Sequence, residues 1–338
     1  MSNGFVFGKF LPFHKGHEAL MNFALTKCDS LTVVVCASDM ERIPCEVRKN
    51  WIEETFAWEK RLKVVCYNFK EFHLPNSSVA SEHASKLWAA EFKKMFPDDI
   101  LLFTSEEYGD LVGNFMGIQH ILFDIDRKLY PISSTLIRHD LFKFWKYLPD
   151  SVKNYFSIKV AIVGTESTGK TTLTNQLKDH FKCNCVLEAG RDLIPSSESF
   201  TYNDLLLVAK EHANRIKQAV VKDSPLVILD TDIHITKSYS LFSLGKDLIV
   251  SDDILKINKS DLYLFLNKDV KFVQDNTRLS EKRRNQLDYF HRTVFTDHEI
   301  KVVEIKGLDW SARYDRAVKK IDELIRKKKL EYKNLRIS

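Results

Sequence analysis

The sequence predicts an α/β protein made of two doubly wound parallel sheets in series. Three observations carry this expectation. An apolar run, Phe5-Val6-Phe7, leads into Gly8-Lys9-Phe10-Leu11-Pro12-Phe13-His14-Lys15-Gly16-His17. A second run, Lys159-Val160-Ala161-Ile162-Val163, leads into Gly164-Thr165-Glu166-Ser167-Thr168-Gly169-Lys170-Thr171. Around both, short β-branched runs alternate with helical stretches, the pattern of a parallel sheet covered on both faces and joined by right-handed crossovers.

In the first half, strands are expected at 4–8, 31–37, 62–67, 100–104 and 119–123, and helices at 16–27, 46–60, 80–95 and 134–145. The aromatic-rich stretch from His139 to Pro149 reads as a short packed connector, because an exposed linker would not carry so many rings. The pattern then restarts, with strands at 158–163, 185–188, 226–230, 261–266 and 300–305 and helices at 170–182, 202–222, 279–294 and 311–328. Two domains follow, 1–157 and 158–338, consistent with a length of 338 residues.

Composition is that of an ordinary globular protein, 44% hydrophobic and 29% charged, so each half can bury a core. A net charge of +5 suits anionic small molecules and does not demand nucleic acid. None of the six cysteines falls in a CxxC or a Cys/His ligand spacing, so zinc is not expected, and all six are expected as reduced thiols. No leader-like segment precedes the first motif and no apolar run approaches the ~20 residues of a membrane span, so a cytoplasmic protein without a membrane partner is expected. Self-association into a homo-oligomer is left open.

His14-Lys15-Gly16-His17 falls where the first strand gives way to the first helix. A helix N-terminus offers unpaired N–H groups and partial positive charge, and two imidazoles three positions apart can both donate to one phosphate there. Gly16 permits close approach. Nucleotidyl transfer to a phosphate needs no enzyme nucleophile, since the incoming phosphate attacks; it needs placed donors for the charge developing on the α-phosphate. Far along the chain, Ser133, Ser134 and Thr135 supply helix-capping hydroxyls, and Arg138 lies one turn on, where its guanidinium can clamp the β/γ-phosphates of ATP. Trp51 and Trp88 are candidates to stack on a pyridine or adenine ring.

The second site is a P-loop. The backbone of Gly164, Thr165, Glu166, Ser167, Thr168 and Gly169 would cradle phosphates, Lys170 would reach the β/γ-phosphates, Thr171 would hold Mg²⁺, and Thr172 continues the ATP-binding run. The strand Val227-Ile228-Leu229 ends in Asp230-Thr231-Asp232, where Asp230 fits the Mg²⁺ shell and Asp232 an acceptor ribose or the base. Glu188 could take a hydroxyl proton and Arg191 could hold the acceptor. The stretch Gln274–Arg278 with Lys282-Arg283-Arg284 reads as a lid whose arginines neutralise the transferring phosphoryl.

These motifs resemble a known family. The paired GKFxPxHxGH and ISSTxIR segments look like the nucleotidylyltransferase superfamily, and more closely the NMN adenylyltransferase domain of the bifunctional NadR proteins. Cys36-Ala37-Ser38-Asp39, Arg42-Ile43-Pro44 with Arg48 and Trp51, and Asp124-Ile125-Asp126-Arg127 resemble further family loops, which surround NMN and adenosine. The resemblance thus implies Gly8, Lys9 and Phe10 at ATP, and Asp39, Arg48, Trp51, Trp88 and Asp126 at NMN. In the second half the P-loop, Glu188-Ala189-Gly190-Arg191, Asp230-Thr231-Asp232 and the lid resemble the ribosylnicotinamide kinase domain of the same proteins, with Ala189 in place of an aromatic. The implied activity converts nicotinamide riboside to NMN and NMN to NAD, with ATP as co-substrate and Mg²⁺ as cofactor. Many family members start with a DNA-binding helix-turn-helix that this sequence does not show, so specific nucleic-acid binding is not expected. Two other readings stay open: an adenylyltransferase of another substrate joined to a different nucleoside kinase, and an ATP-gated regulator.

Overall fold

A computed structural model describes residues 2–76, 81–96, 100–194, 199–272 and 279–335. The chain forms two compact units, one running to Tyr155 and taking in the segment from Lys329 onward, the other spanning Phe156–Lys328. The boundary lies close to the expected 157. The assignment of the whole C-terminus to the second domain is corrected, because the segment after Lys328 packs with the first unit. There the Leu335 carbonyl accepts a hydrogen bond from the Arg42 amide at 2.9 Å.

The first unit carries strands β1 (Asn3–Gly8), β2 (Ser30–Ser38), β3 (Leu62–Phe69), β4 (Leu101–Thr104) and β5 (His120–Leu122), all parallel, in the order β3-β2-β1-β4-β5. Helices α1 (Lys15–Leu25), α2 (Cys45–Thr55), α3 (Glu82–Met95), α4 (Tyr108–Met116), α5 (Ser134–His139) and α6 (Asp150–Phe156) complete it. The middle strands are fully buried because both faces are covered; Phe5, Val34 and Leu102 share a core with Phe92 of α3 and Val112 of α4. The order reverses between β1 and β4. In an open parallel sheet the crevice at such a switch point, beyond the strands' C-terminal ends, is where ligands bind.

The second unit carries β6 (Ile158–Val163), β7 (Asn184–Val186), β8 (Leu226–Asp230), β9 (Leu262–Leu266) and β10 (Val302–Ile305), again all parallel, in the order β10-β9-β6-β8-β7. Its helices are α7 (Lys170–Phe181), α8 (Gly190–Leu193), α9 (Tyr202–Val220), α10 (Ile233–Leu244), α11 (Asp252–Asn258), α12 (Glu281–Asp297) and α13 (Trp310–Lys333). The central β6 places the P-loop at the sheet's middle.

Several expected boundaries move. The helix expected over 134–145 stops at His139, where Asp140 leaves helical geometry, and a single 3₁₀ turn, Trp145–Tyr147, follows. Helices α4, α6, α8, α10 and α11 were not expected. α10 hides because its residues are buried nearly all round, so no polar stripe marks it. The thiol expectation is also corrected. Cys45, opening α2, and Cys66, on β3, are joined by a disulfide, their Cα atoms 5.9 Å apart, because α2 packs directly on β3. The free cysteines are Cys28, Cys36, Cys183 and Cys185. No described helix is long and apolar enough to cross a membrane.

Candidate active sites

At the β1/β4 switch point lies a cavity of about 430 Å³. Gly8, Lys9 and Phe10 reach it from the end of β1, Thr104 and Glu106 from the end of β4, and Ser133, Ser134, Thr135 and Arg138 from the start of α5. His14 and His17 form its floor. His14 caps α1, and its Nδ1 accepts from the Gly16 amide at 3.1 Å, which leaves the ring proton on Nε2. A Cβ at Gly16 would stand 3.0 Å from the His14 ring, so a larger residue here would push that imidazole by a few tenths of an ångström.

The two imidazoles stack with centroids 3.7 Å apart, edged by Phe10. Burial drives His14 down to about 3, with the Arg127 guanidinium adding to the effect. Burial, then His14, then Arg127 hold His17 well below the usual histidine range. The pair is therefore neutral at physiological pH, so each ring carries one N–H donor. His17 Nδ1 is buried without a partner.

The α5 hydroxyls divide their work. Ser133 caps the helix by accepting from the Leu136 amide, and Ser134 donates to the Pro12 carbonyl at 3.1 Å, pinning α5 to the histidine loop. Arg138 donates to the Leu11 carbonyl at 2.5 Å and to Thr135 Oγ1 at 3.0 Å, so its fork is held rigidly at the cavity wall.

The family-implied NMN residues separate. Trp88 lines the cavity, its indole N–H donating to the Pro75 carbonyl at 3.1 Å. The others are corrected. Trp51 is a core residue, 3% exposed, edge-on to Tyr155. Arg48 is fully buried and spends its guanidinium on Glu41 at 2.7 Å and on the carbonyls of Ile43 and Lys9, a brace beneath the Lys9 backbone. Asp39 accepts from the Glu71 amide outside the cavity, and Asp126 is exposed beside Lys128. Sequence reading missed Glu106, which holds the cavity-lining Arg127 at 2.7 Å. It also missed the relay behind that loop: Asp110 to His120 Nδ1 at 2.7 Å, and His120 Nε2 to Thr104 Oγ1 at 2.9 Å. The only signal was proximity, Arg127 lying one residue beyond Asp126.

In the second unit the loop after β6 has the conformation its glycines imply. Gly164 sits at φ +134°, and a Cβ there would come within 2.6 Å of the Leu266 carbonyl. Ser167 and Gly169 are also left-handed. Lys170 Nζ donates to the Thr165 carbonyl at 3.1 Å, and Thr168 Oγ1 to the same oxygen at 2.7 Å. Thr172 is exposed at the start of α7. Thr171 Oγ1 donates to Asp230 Oδ2 at 2.6 Å, while Asp230 Oδ1 is buried without a partner. Burial pushes the Asp230 carboxyl up, and Lys170 pulls it back.

Glu166 does more than line the loop: its carboxylate accepts from Tyr239 Oη at 2.8 Å and from the Leu279 amide at 2.9 Å, tying the P-loop to α10 and to the approach to α12. Glu188 and Arg191 pair at 3.2 Å across one turn. Asp232 is corrected. It is fully buried, caps α10 through the His234 and Ile235 amides, and holds His234 Nδ1 at 2.6 Å, so its carboxylate is not open to a substrate. Arg283 stacks over Phe242, and Arg278 lies outside the described residues. One buried arginine was missed. Arg313 of α13 donates to carbonyls of Thr168, Gly307 and Asn267 and pairs with Asp269, bracing the loop from below. Arg284 of α12, 2% exposed, keeps Nε and Nη1 without partners among the described residues.

A family model described as AAA domain matches residues 159–313. The trifunctional NAD biosynthesis/regulator protein NadR of Escherichia coli K12 is 28% identical over 345 residues, covering 95% of this chain and 83% of that protein. The chain is similar to that protein along nearly its whole length. The Salmonella typhimurium protein of the same description is likewise 28% identical over 95% of the chain. A crystal structure of a NadR protein in complex with NR shares the fold at a TM-score of 0.66 and 21% identity, covering 95% of this chain and 96% of that one. A NadR structure in complex with NAD and AMP-PNP gives 0.64 over 95% of each chain.

Proposed function

We propose that this chain is a bifunctional NAD salvage enzyme. The second unit transfers the γ-phosphoryl of ATP to nicotinamide riboside, forming NMN and ADP. The first unit lets the NMN phosphate attack the α-phosphate of a second ATP, forming NAD and pyrophosphate. The observation that carries the reading is the neutral, stacked His14–His17 pair in the switch-point cavity, joined in the same chain to a complete P-loop with its Thr171–Asp230 contact. It fits the NadR-like sequence along nearly the whole chain.

In the adenylyl transfer, His14 and His17 donate neutral N–H groups to oxygens of the α-phosphate, where charge grows as the bond to pyrophosphate breaks. Arg138, fixed by Leu11 and Thr135, presents its guanidinium to the leaving pyrophosphate. Trp88 offers a flat apolar wall for a ring. No proton need leave an enzyme side chain, because the attacking phosphate is already anionic.

In the kinase unit, the loop amides and Lys170 hold the β/γ-phosphates in line. The orphaned, buried Asp230 Oδ1 and the Thr171 hydroxyl are oxygen donors that suit a hard cation, and Mg²⁺ held there would supply positive charge against the transferring phosphoryl. Glu188 is placed to accept the riboside hydroxyl proton, with Arg191 setting its position. The experiment is purified chain with ATP, Mg²⁺ and nicotinamide riboside, sampled over time. NMN should rise first and NAD follow; NAD formation from added NMN without any NMN formation from riboside would overturn the kinase half.

A further inference from the structure

Between the two aspartates at the end of β8 sits Thr231, and neither the fold nor the phosphate chemistry accounts for it. Its backbone has φ +74°, a left-handed value that a β-branched residue avoids. In the P-loop Gly164 and Gly169 take φ of that sign, and Ser167, which is not β-branched, is the other residue there that does. The backbone amide of Thr231 is satisfied by the Ile162 carbonyl at 3.0 Å, so the turn is held by the main chain alone. The side-chain hydroxyl is buried and has no hydrogen-bond partner. A buried hydroxyl without a partner is costly, and a threonine at a glycine-like angle adds to that cost.

The surroundings repeat the signal. Asp230 Oδ1, one residue before, is buried and unpartnered. His212 of α9 is 4% exposed, and neither ring nitrogen completes a hydrogen bond. The Thr231 backbone and the Glu188 charge both favour the protonated His212 ring, and Glu188 also raises the Asp230 carboxyl. Burial holds His212 neutral, so it brings one donor and one acceptor. Asp232, the residue expected at the acceptor, is already spent on α10 and His234. Asp230 Oδ1, Thr231 Oγ1 and the His212 ring thus keep open hydrogen-bonding positions, two of these three groups within the electrostatic reach of Glu188, the carboxylate proposed to accept the proton.

We infer that Thr231 Oγ1 binds a sugar hydroxyl of the phosphoryl acceptor, that the unpartnered His212 ring supports the same hydroxyl-binding position, and that the strained backbone at Thr231 is kept for this contact. The inference rests on the kinase reading above. It makes Thr231 a specificity residue for a polyhydroxylated acceptor, here a ribosyl compound, because a site built to bond a hydroxyl rejects analogues that lack it.

The test is steady-state kinetics and thermal denaturation of the full chain carrying Thr231→Gly, Thr231→Ser or His212→Gln. Glycine relieves the backbone strain and removes the hydroxyl. Its thermal midpoint should hold or rise, the acceptor KM should rise about tenfold or more, and the ATP KM should not move. Thr231→Ser should keep the wild-type acceptor KM. His212→Gln should raise the acceptor KM alone, less than Thr231→Gly does. The acceptor assayed is whichever of nicotinamide riboside, adenosine, uridine and thymidine the wild type phosphorylates. Failure of nicotinamide riboside alone thus overturns the substrate reading and not this one, whereas phosphorylation of none overturns both. An unchanged acceptor KM in Thr231→Gly would overturn the proposal. So would failure of that variant to fold, since glycine is the residue the backbone angle favours.

Discussion

Lowering the pH from 8 to 5 should leave both active-site imidazoles of the first unit uncharged and should destabilise that unit in a predictable way. His14 sits in a desolvated floor, its ring 3.7 Å from that of His17 and under the influence of Arg127, and its folded pKa lies at about 3. In the unfolded chain the same imidazole titrates near 6.5. The folded value is the lower one, so the unfolded chain binds a proton that the native state refuses. Stability is therefore unaffected above pH 6.5 and is lost as pH falls from 6.5 toward 3. At pH 5 the penalty from His14 alone is about 2 kcal/mol. His17 contributes in the same direction, through burial first and His14 second. The assay is urea unfolding at pH 7.5 and 5.0 followed by tryptophan fluorescence, with four of the five tryptophans (Trp51, Trp58, Trp88 and Trp145) reporting on the first unit. Imidazole chemical shifts of the native protein give the second readout. His14→Asn should remove about 2 kcal/mol of the acid sensitivity. A His14 resonance titrating in the native state above pH 5.5 would refute the argument, because the donors would then be charged near neutrality.

The remaining predictions concern the division of labour. His17→Ala should cut NAD formation from NMN by roughly 100–1000-fold, the cost of one lost donor of this kind, while riboside phosphorylation persists; equal loss of both in a folded protein would contradict two separate sites. Lys170→Ala should do the converse, and wild-type kinase turnover in that variant would remove Lys170 from phosphoryl transfer. Arg138→Lys should not restore adenylyl transfer, since an ammonium cannot hold Leu11 and Thr135 while facing a phosphate; normal ATP KM and turnover would show that the fork is dispensable. Arg48→Met should lower stability by about 3–5 kcal/mol, because it strands the buried Glu41 carboxylate, and calorimetry of the folded variant measures it directly.

The contact residues around both phosphate sites were legible because the chemistry that needs them is local. His14, Gly16 and His17 occupy one strand-to-helix turn, and the P-loop is a single run of chain, so spacing alone carries the geometry. The hydroxyls and arginine of α5 were legible for the same reason, as a cap and one turn. Periodicity sufficed for the strands, whose buried runs are set by a sheet covered on both faces.

What the sequence could not decide was which way a side chain faces once helices are packed. Trp51 and Trp88 look alike as aromatic residues on helices, yet α2 turns Trp51 into the core and α3 turns Trp88 to the cavity. Arg48 and Asp232 carry charges suited to ligands, but Glu41 and the α10 amides claim them first, because a buried charge must be paired before it can be spared. The pairing of Cys45 with Cys66 and the braces Arg313 and Glu166 join segments far apart in the chain, and no local pattern encodes such contacts. The sequence by itself determined two phosphate-handling turns on two parallel sheets. Only the packing of helices onto those sheets decided which of the neighbouring polar residues face a substrate and which hold the scaffold.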